Sequence, residues 1–315
     1  METAYIINPM KRRKFLQAGL LSGIALQSIP ANAHPGKTTI LQNPENRFTL
    51  SLNAYSFNTP LKNGTTSLFE ILEFCARESL GAADLTGYYF PGYPDIPSDE
   101  YIYQLKRRAH QLGIAISGTG IRTEFGSSDA AVRRKEVEWT KKWIGVAAKL
   151  GAPVIRVFTA KAMPEQYSRE EVTTWIAHDL SECAAAGKEK GVIVAFQNHN
   201  DFIKTAEQAD TLLTKINNEW FGLVLDTGSF VTEEPYSEIN RMAAKAVNWQ
   251  IKEKLVYKGV TESMDLPKLF RIIKKSPYRG YLPIETLSPG NPFEIVPPFI
   301  RLVRNAMDQV MNENS

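Results

Sequence analysis

The sequence predicts one α/β domain built as a (β/α)8 barrel. Eight short apolar runs alternate along the chain with stretches of helical periodicity. The runs recur at intervals of roughly 25 to 40 residues, which is the length of one strand–helix unit. No Gly-rich dinucleotide loop follows the first run, so a closed barrel is favoured over a doubly wound sheet.

The eight runs are short enough to be single strands, and most are rich in β-branched or aromatic residues. In chain order they are FTLSLNAYSF (48–57), AADLT (82–86), IAISGTG (114–120), PVIRVFT (153–159), VIVAFQN (192–198), FGLVLD (221–226), AVNWQI (246–251) and YLPIET (281–286). Between them, apolar residues recur with the spacing of one helix face. Two such helices are predicted where Thr65 and Thr66 precede one apolar face and Asp265 precedes another.

Composition allows a sizeable core and gives no sign of a nucleic-acid surface. The chain has 315 residues, is 43% hydrophobic and carries a formal charge of +3. Lys and Arg are interspersed with Asp and Glu, and the basic triplets at 106–108 and 133–135 fall on predicted helices, where they are read as solvated faces. We therefore predict no nucleic-acid partner.

The N-terminus reads as an export signal. Lys11–Gln17 form a twin-arginine pattern, the apolar run Ala18–Leu26 follows, and Ala31-Asn32-Ala33 resembles a cleavage site. The run is too short for a stable membrane span. We predict a signal over residues 1–33, a linker over 34–47 and the barrel over 48–315, with the mature protein periplasmic or extracellular.

Four of the runs have, as their last or next-to-last residue, a polar residue that could bind a metal or carry a proton. These strand ends are Gln197, Asp226, Gln250 and Glu285. In a parallel barrel the carboxyl ends of all strands open on one face, where such enzymes build their active sites. The four side chains are therefore predicted to converge.

The order of these motifs resembles the xylose-isomerase-like TIM-barrel superfamily, over roughly residues 48–305. The resemblance rests on Gln197-Asn198-His199, then LDTG, then QIKE, then PIET. It implies carbohydrate chemistry, a divalent metal and two glutamates that move protons. The family pattern has Glu where this chain has Gln197, His where it has Gln250 and Asp where it has Glu253, whereas the lysine of that pattern is retained as Lys252. The DNA-repair branch of the superfamily uses many His ligands, and this chain has only four His residues.

The resemblance assigns Gln197, Asp226, Gln250 and Glu285 as metal ligands. Two carboxylates and two amide oxygens suit Mn²⁺ or Mg²⁺, and also Ca²⁺, better than Zn²⁺. The alternative is that both glutamines only form hydrogen bonds inside the barrel mouth and that no metal binds there.

Three residues are candidates for catalysis. Glu285 is the expected base, and His199 the expected second proton carrier, because Gln197 cannot accept a proton. Lys252 is expected to stabilise a developing oxyanion. The alternatives are that His199 caps a loop and that Lys252 only pairs with a neighbouring carboxylate.

Further strand ends supply candidate substrate contacts. Aromatic and basic side chains at a polar barrel mouth suit a sugar, although ordinary loop packing would explain them equally well. The candidates are Tyr55, Phe57, Tyr88, Arg122, Arg156 and Asn198.

The resulting hypothesis is an exported sugar or keto-sugar isomerase/epimerase that acts by metal-assisted enolisation. One alternative is a lyase or hydratase acting on oxidised glycosides by β-elimination. Another is a non-catalytic carbohydrate-binding barrel. A homodimer is compatible with the sequence, which shows no interface.

Overall fold

A computed structural model describes residues 48–199 and 202–313. Ten strands in this part of the chain are β1 Thr49–Asn53, β2 Ala82–Thr86, β3 Ala115–Gly120, β4 Val154–Val157, β5 Ile193–Gln197, β6 Phe221–Asp226, β7 Ala246–Lys252, β8 Lys254–Tyr257, β9 Val260–Ser263 and β10 Tyr281–Glu285. The α-helices are α1 Asn58–Lys62, α2 Leu68–Arg77, α3 Asp99–Gln111, α4 Ala130–Leu150, α5 Arg169–Lys190, α6 Ala206–Ile216, α7 Pro235–Met242, α8 Leu266–Lys275 and α9 Pro292–Asn312.

Eight of the strands close into one parallel barrel, which confirms the predicted fold class. The strand order is β1-β10-β7-β6-β5-β4-β3-β2, and β1 pairs with both β10 and β2 to close the ring. All eight predicted runs form barrel strands. The first strand is shorter than its apolar run, because the Asn53 side chain accepts a hydrogen bond from the Tyr55 N–H (2.9 Å) and starts a 3₁₀ turn.

Local sequence signals explain where the helices begin and end. Ser67 with Glu70 and Ser168 with Glu171 form capping boxes at the starts of α2 and α5. At their carboxyl ends, α4 and α5 are terminated by glycines in the left-handed region, Gly151 and Gly191. These signals set boundaries of three helices of the ring: α2, α4 and α5.

The main apolar core lies between the barrel and its ring of helices. Inside the barrel, a small separate cluster of Val154, Ala195 and Val224 fills part of the interior. Towards the carboxyl ends of the strands the buried side chains are polar and charged, as expected at the face where a barrel has its active site.

One element was not predicted from the sequence. The strands β8 and β9 form an antiparallel hairpin directly after β7. Lys258 and Gly259 both have positive φ, +48° and +78°, which is the geometry of a tight hairpin turn. In sequence, the hairpin begins two residues beyond Lys252, close to the barrel mouth.

The predicted signal (1–33) and linker (34–47) lie outside the described residues, so both remain predictions. Across 48–199 and 202–313, no helix combines the length and apolarity needed to cross a membrane.

Candidate active site

The four predicted strand ends come together at the carboxyl face of the barrel, and all four side chains are buried. Gln197, Asp226, Gln250 and Glu285 are the last or nearly the last residues of β5, β6, β7 and β10. Strand pairing aligns Asp226 with Gln250 and Glu285 with Lys252. The sequence therefore brings two carboxylates, two amides and one ammonium group to one level of the mouth.

Asp226 is held by donors on both of its carboxylate oxygens. Its Oδ2 accepts a hydrogen bond from Gln197 Nε2 (2.5 Å) and lies 3.4 Å from Lys252 Nζ. Its Oδ1 accepts from the Gly228 N–H (2.9 Å). The side chain is fully buried, so these donors replace the water that the carboxylate would otherwise bind.

Glu285 is held in the same way. Lys252 Nζ donates to Glu285 Oε1, and Gln250 Nε2 donates to Glu285 Oε2. Lys252 therefore lies between the two carboxylates and contacts both. We call Asp226, Lys252 and Glu285, with the two glutamine amides, the paired cluster.

Burial and charge shift the pKa values of this cluster. Burial raises the pKa of Glu285, against the attraction of the Lys252 ammonium group, and the negative charge of Asp226 raises it further. Burial works to lower the pKa of Lys252, but Asp226 and Glu285 outweigh it and the pKa is raised. Lys252 is therefore a cation at neutral pH.

The LDTG segment explains how Lys252 reaches this position. Thr227 Oγ1 accepts from the Lys252 N–H (3.0 Å) and donates to the Gln250 carbonyl (3.2 Å), which extends the β6–β7 pairing past the end of β6. A Cβ at Gly228 would lie 2.8 Å from Lys252 Cγ. The glycine thus leaves room for the lysine stem, and the threonine fixes its backbone.

A second group of charged and aromatic residues lies on the β2–β4 side of the mouth. Arg156 is buried and donates from Nη1 to the Tyr88 hydroxyl and to the Ile121 carbonyl, both at 2.7 Å. Its guanidinium also lies over the Phe158 ring, 4.3 Å from the centroid. A Cβ at Gly120 would lie 2.7 Å from this guanidinium, so the glycine makes the position possible.

Three predicted substrate contacts meet at the rim of this side. Arg122 lies over the Tyr88 ring, 5.1 Å from its centroid, and Tyr55 packs edge-on against Tyr88. Burial lowers the pKa of Arg122, but the Tyr88 and Tyr55 hydroxyls outweigh it, so the pKa is raised. An aromatic and cationic rim of this kind can stack on a sugar face and bind its hydroxyl groups.

Asp84 is a buried carboxyl group that the sequence analysis did not identify. It is 7% exposed, and burial raises its pKa to about 6, against the lowering effect of Arg156. No hydrogen bond to its carboxylate is found within the described residues, and a Cβ at Gly118 would lie 2.8 Å from its Oδ2. In the sequence, Asp84 stands out as the charged residue of the run AADLT, but the run does not indicate which face it occupies.

His199 lies two residues beyond the end of β5 and is half-buried at the mouth. Its ring packs edge-on against Phe158, with 5.0 Å between the centroids. The two residues line a cavity of about 230 Å³ together with Arg122, Thr123, Ala160 and Lys161. His199 is thus close to the aromatic and cationic rim.

Two predicted substrate residues have other surroundings. Both polar groups of the Asn198 side chain bond to the backbone of Asp226, at 2.8 and 2.9 Å, so this residue joins β5 to β6 and orients Asp226. Phe57 is fully buried, with Phe74 and Phe293 each 4.9 Å away between ring centroids. The structure therefore places Phe57 in the core and not at the mouth.

The donor set of the paired cluster does not fit a divalent metal as it stands. Each carboxylate oxygen of Asp226 and Glu285 accepts from an N–H group, and both glutamines present N–H groups to them. Turning either amide to present its oxygen would remove a donor from a buried carboxylate. Within the described residues, no group of three or more His, Cys, Asp or Glu side chains could hold a metal ion.

Solved structures with this fold include several sugar epimerases. L-ribulose 3-epimerase aligns with a TM-score of 0.68 at 17% identity, covering 85% of this chain and 98% of that chain. The 3-keto-D-glucoside 4-epimerase YcjR from E. coli gives a TM-score of 0.64 at 13% identity, covering 76% and 94%. The IOLI protein, solved with a zinc atom, gives a TM-score of 0.64 at 16% identity, covering 84% of this chain and 99% of that chain.

These identities establish a shared fold and no more. Comparison with curated protein sequences finds no match. The family model for the xylose isomerase-like TIM barrel matches residues 82–306, which include most of the barrel and all the residues of the paired cluster. This chain therefore belongs to the xylose isomerase-like TIM barrel family.

Proposed function

We propose that this protein is a sugar isomerase or epimerase that exchanges a proton on the carbon next to a carbonyl group. The observation that carries the proposal is the buried contact of Lys252 Nζ with Glu285, at the face where barrel enzymes act. A carboxylate and an ammonium group side by side supply a base and an oxyanion partner. Structural neighbours that epimerise L-ribulose or 3-keto-D-glucosides support a sugar as the substrate class.

In the proposed reaction, Glu285 removes the proton from the carbon beside the carbonyl. The C–H electron pair forms the enolate, and the negative charge develops on the carbonyl oxygen. Lys252 uses two of its N–H groups on carboxylates, which leaves the third for that oxygen. The low exposure of the cluster strengthens this attraction because little water competes for it.

The proton must then return to carbon. Gln197 cannot carry it, since it is an amide that donates to Asp226. His199, at the rim, is the group expected from the sequence. Asp84 is a second candidate, because its pKa of about 6 lets it accept and release a proton near neutral pH.

Isotope exchange tests this proposal directly. Purified protein is incubated in D₂O with a panel of unphosphorylated keto-sugars and oxidised glycosides, and loss of C–H signals is followed by NMR. We expect exchange next to the carbonyl, reduced about 100-fold or more by Glu285→Gln. Glu262→Gln, at an exposed position on the hairpin, is the matched control and should retain the exchange. An undiminished rate in Glu285→Gln would disprove the proposal.

β-Elimination is the second candidate reaction, because the amide of Gln197 cannot be the second proton carrier that an epimerase needs, whereas one base is enough to begin an elimination. Elimination begins with the same enolate, but the electron pair then expels the oxygen substituent on the next carbon and forms a C=C bond. Mass spectrometry of the products separates the two reactions: an isomer retains the substrate mass, whereas elimination releases water or an alcohol.

We further propose that the mature protein works outside the cytoplasm, on the strength of the twin-arginine pattern. An unphosphorylated substrate fits that location. Fractionation of cells that express the full chain tests it: Arg12→Lys with Arg13→Lys should retain the protein in the cytoplasm, and normal export of this variant would contradict it.

A further inference from the structure

Lys252 occupies the point in the barrel mouth where a cation is needed. Its Nζ contacts Glu285 Oε1 and lies 3.4 Å from Asp226 Oδ2, and all three side chains are buried. Two carboxylates at this depth cannot both be ionised without a neighbouring positive charge. The lysine supplies that charge from within the chain.

Charge also argues against a divalent metal in the paired cluster. Asp226 and Glu285 contribute −2 and Lys252 contributes +1, so the paired cluster carries −1. A divalent ion added to it would leave +1 in a site that is almost inaccessible to water. A carboxylate at position 197 would bring the cluster to −2, and a divalent ion would then neutralise it. Gln197 is an amide, so this chain lacks that charge.

We infer that the paired cluster of this chain holds no divalent cation, because the Lys252 ammonium group and the two glutamine amides already supply the positive charge and the donors that Asp226 and Glu285 need. Two neighbouring residues hold Lys252 between the carboxylates. Thr227 fixes the Lys252 backbone, and Gly228 leaves space for its stem. The glutamine amides donate to the carboxylate oxygens that a metal would otherwise bind. The cluster is thus satisfied by groups of this chain alone.

The inference deepens the proposed function, because the same ammonium group would then stabilise the enolate oxygen. It also differs from the sequence-based prediction of Mn²⁺ or Mg²⁺. Metal binding can be measured without any substrate, so the two can be tested separately.

The test is a titration of mature protein with Mn²⁺, followed by the loss of the free-ion EPR signal and by thermal unfolding. A parallel arm uses Zn²⁺, the metal present in the IOLI structure. We expect wild-type protein to show no saturable binding in either arm. Lys252→Met should gain one Mn²⁺ per chain, with Tm rising by roughly 4 °C or more at about a hundred times Kd.

Two further variants complete the design. Lys254→Met removes an exposed lysine two residues away and should gain no Mn²⁺ binding. Gln197→Glu combined with Gln250→His keeps Lys252, adds a charged ligand and an imidazole, and should bind Mn²⁺. It provides a measurement even where Lys252→Met does not fold.

Gain of binding in either altered cluster, with none in wild type, supports the inference. One Mn²⁺ or Zn²⁺ bound per wild-type chain and lost in Glu285→Gln would overturn it, as would the absence of binding in both altered clusters. If isotope exchange fails for every sugar while the altered clusters gain Mn²⁺, the inference stands and the proposed function does not. Exchange by wild-type protein that holds a metal in this cluster would support the proposed function and overturn the inference.

Discussion

The two sides of the barrel mouth differ in whether their buried carboxylates have hydrogen-bond donors. On the β6, β7 and β10 side, Asp226, Lys252 and Glu285 form the paired cluster, in which every carboxylate oxygen has an N–H donor. On the β2–β4 side, Arg156 has two acceptors, but no hydrogen bond to Asp84 is found in the part of the chain that the structure describes. We call Asp84, Arg156 and Tyr88 the open side.

The comparison separates two uses of a buried carboxylate. In the paired cluster, donors hold the charges in place and the geometry is determined by the protein alone. On the open side, burial raises the pKa of Asp84 to about 6, and the group can change its protonation state near neutral pH. A substrate oxygen could supply the donor or acceptor that Asp84 lacks, so this side is arranged to respond to a ligand.

The largest expected effect comes from breaking the paired cluster. Lys252→Met keeps the length of the stem but leaves Asp226 and Glu285 buried without their cation. Removing one member of a buried ion pair costs about 3–5 kcal/mol, so the free energy of unfolding should fall by that amount at pH 7. Chemical denaturation measures this change. Adding Glu285→Gln to the variant should recover part of the loss, and no recovery would show that the pairing does not account for it.

Replacing Asp84 on the open side should instead raise the free energy of unfolding. Because the folded pKa of Asp84 is about 6 and its ordinary value is 3.8, the folded state binds the proton more tightly. The contribution of Asp84 to the free energy of unfolding is therefore fully present below pH 4 and is lost as the pH rises through 6. Asp84→Asn should therefore stabilise the protein by about 3 kcal/mol at pH 7.5 and have little effect at pH 4.

The control for this prediction is Asp308→Asn, at an exposed position on α9. Its effect on the free energy of unfolding should be small at both pH values. Equal effects of Asp84→Asn at pH 4 and pH 7.5 would mean that the carboxyl group does not titrate between them.

The sequence predicted the paired cluster better than the open side, for a physical reason. Asp226 and Glu285 lie at or next to the ends of their apolar runs, and the ends of parallel strands must meet at one face of a barrel. Asp84 lies within a run of five residues, where a single acidic side chain gives no indication of which face it occupies. Its position depends on Gly118, on the neighbouring strand, and no local pattern reveals that contact.

Other differences come from contacts that are distant in sequence or from unrecognised turns. The apolar run 48–57 predicts Phe57 at the mouth, but the strand ends at Asn53, a 3₁₀ turn follows, and Phe57 lies in the core. The lysine between the carboxylates depends on Thr227 and Gly228, about 25 residues earlier in the chain. Strand periodicity predicts the barrel, whereas the pairing of its charges needs three-dimensional contacts.

The smallest expected effect concerns the rim of the open side. Tyr88→Phe removes the hydroxyl that accepts from Arg156 Nη1 but keeps the ring that lies beside Arg122 and Tyr55. Arg156 retains the Ile121 carbonyl, so the free energy of unfolding should fall by only about 1 kcal/mol. Tyr103→Phe, at an exposed position on α3, is the control. A loss as large as that of Lys252→Met would show that the two sides of the mouth are equally constrained, and the distinction between a paired and an open side would no longer hold.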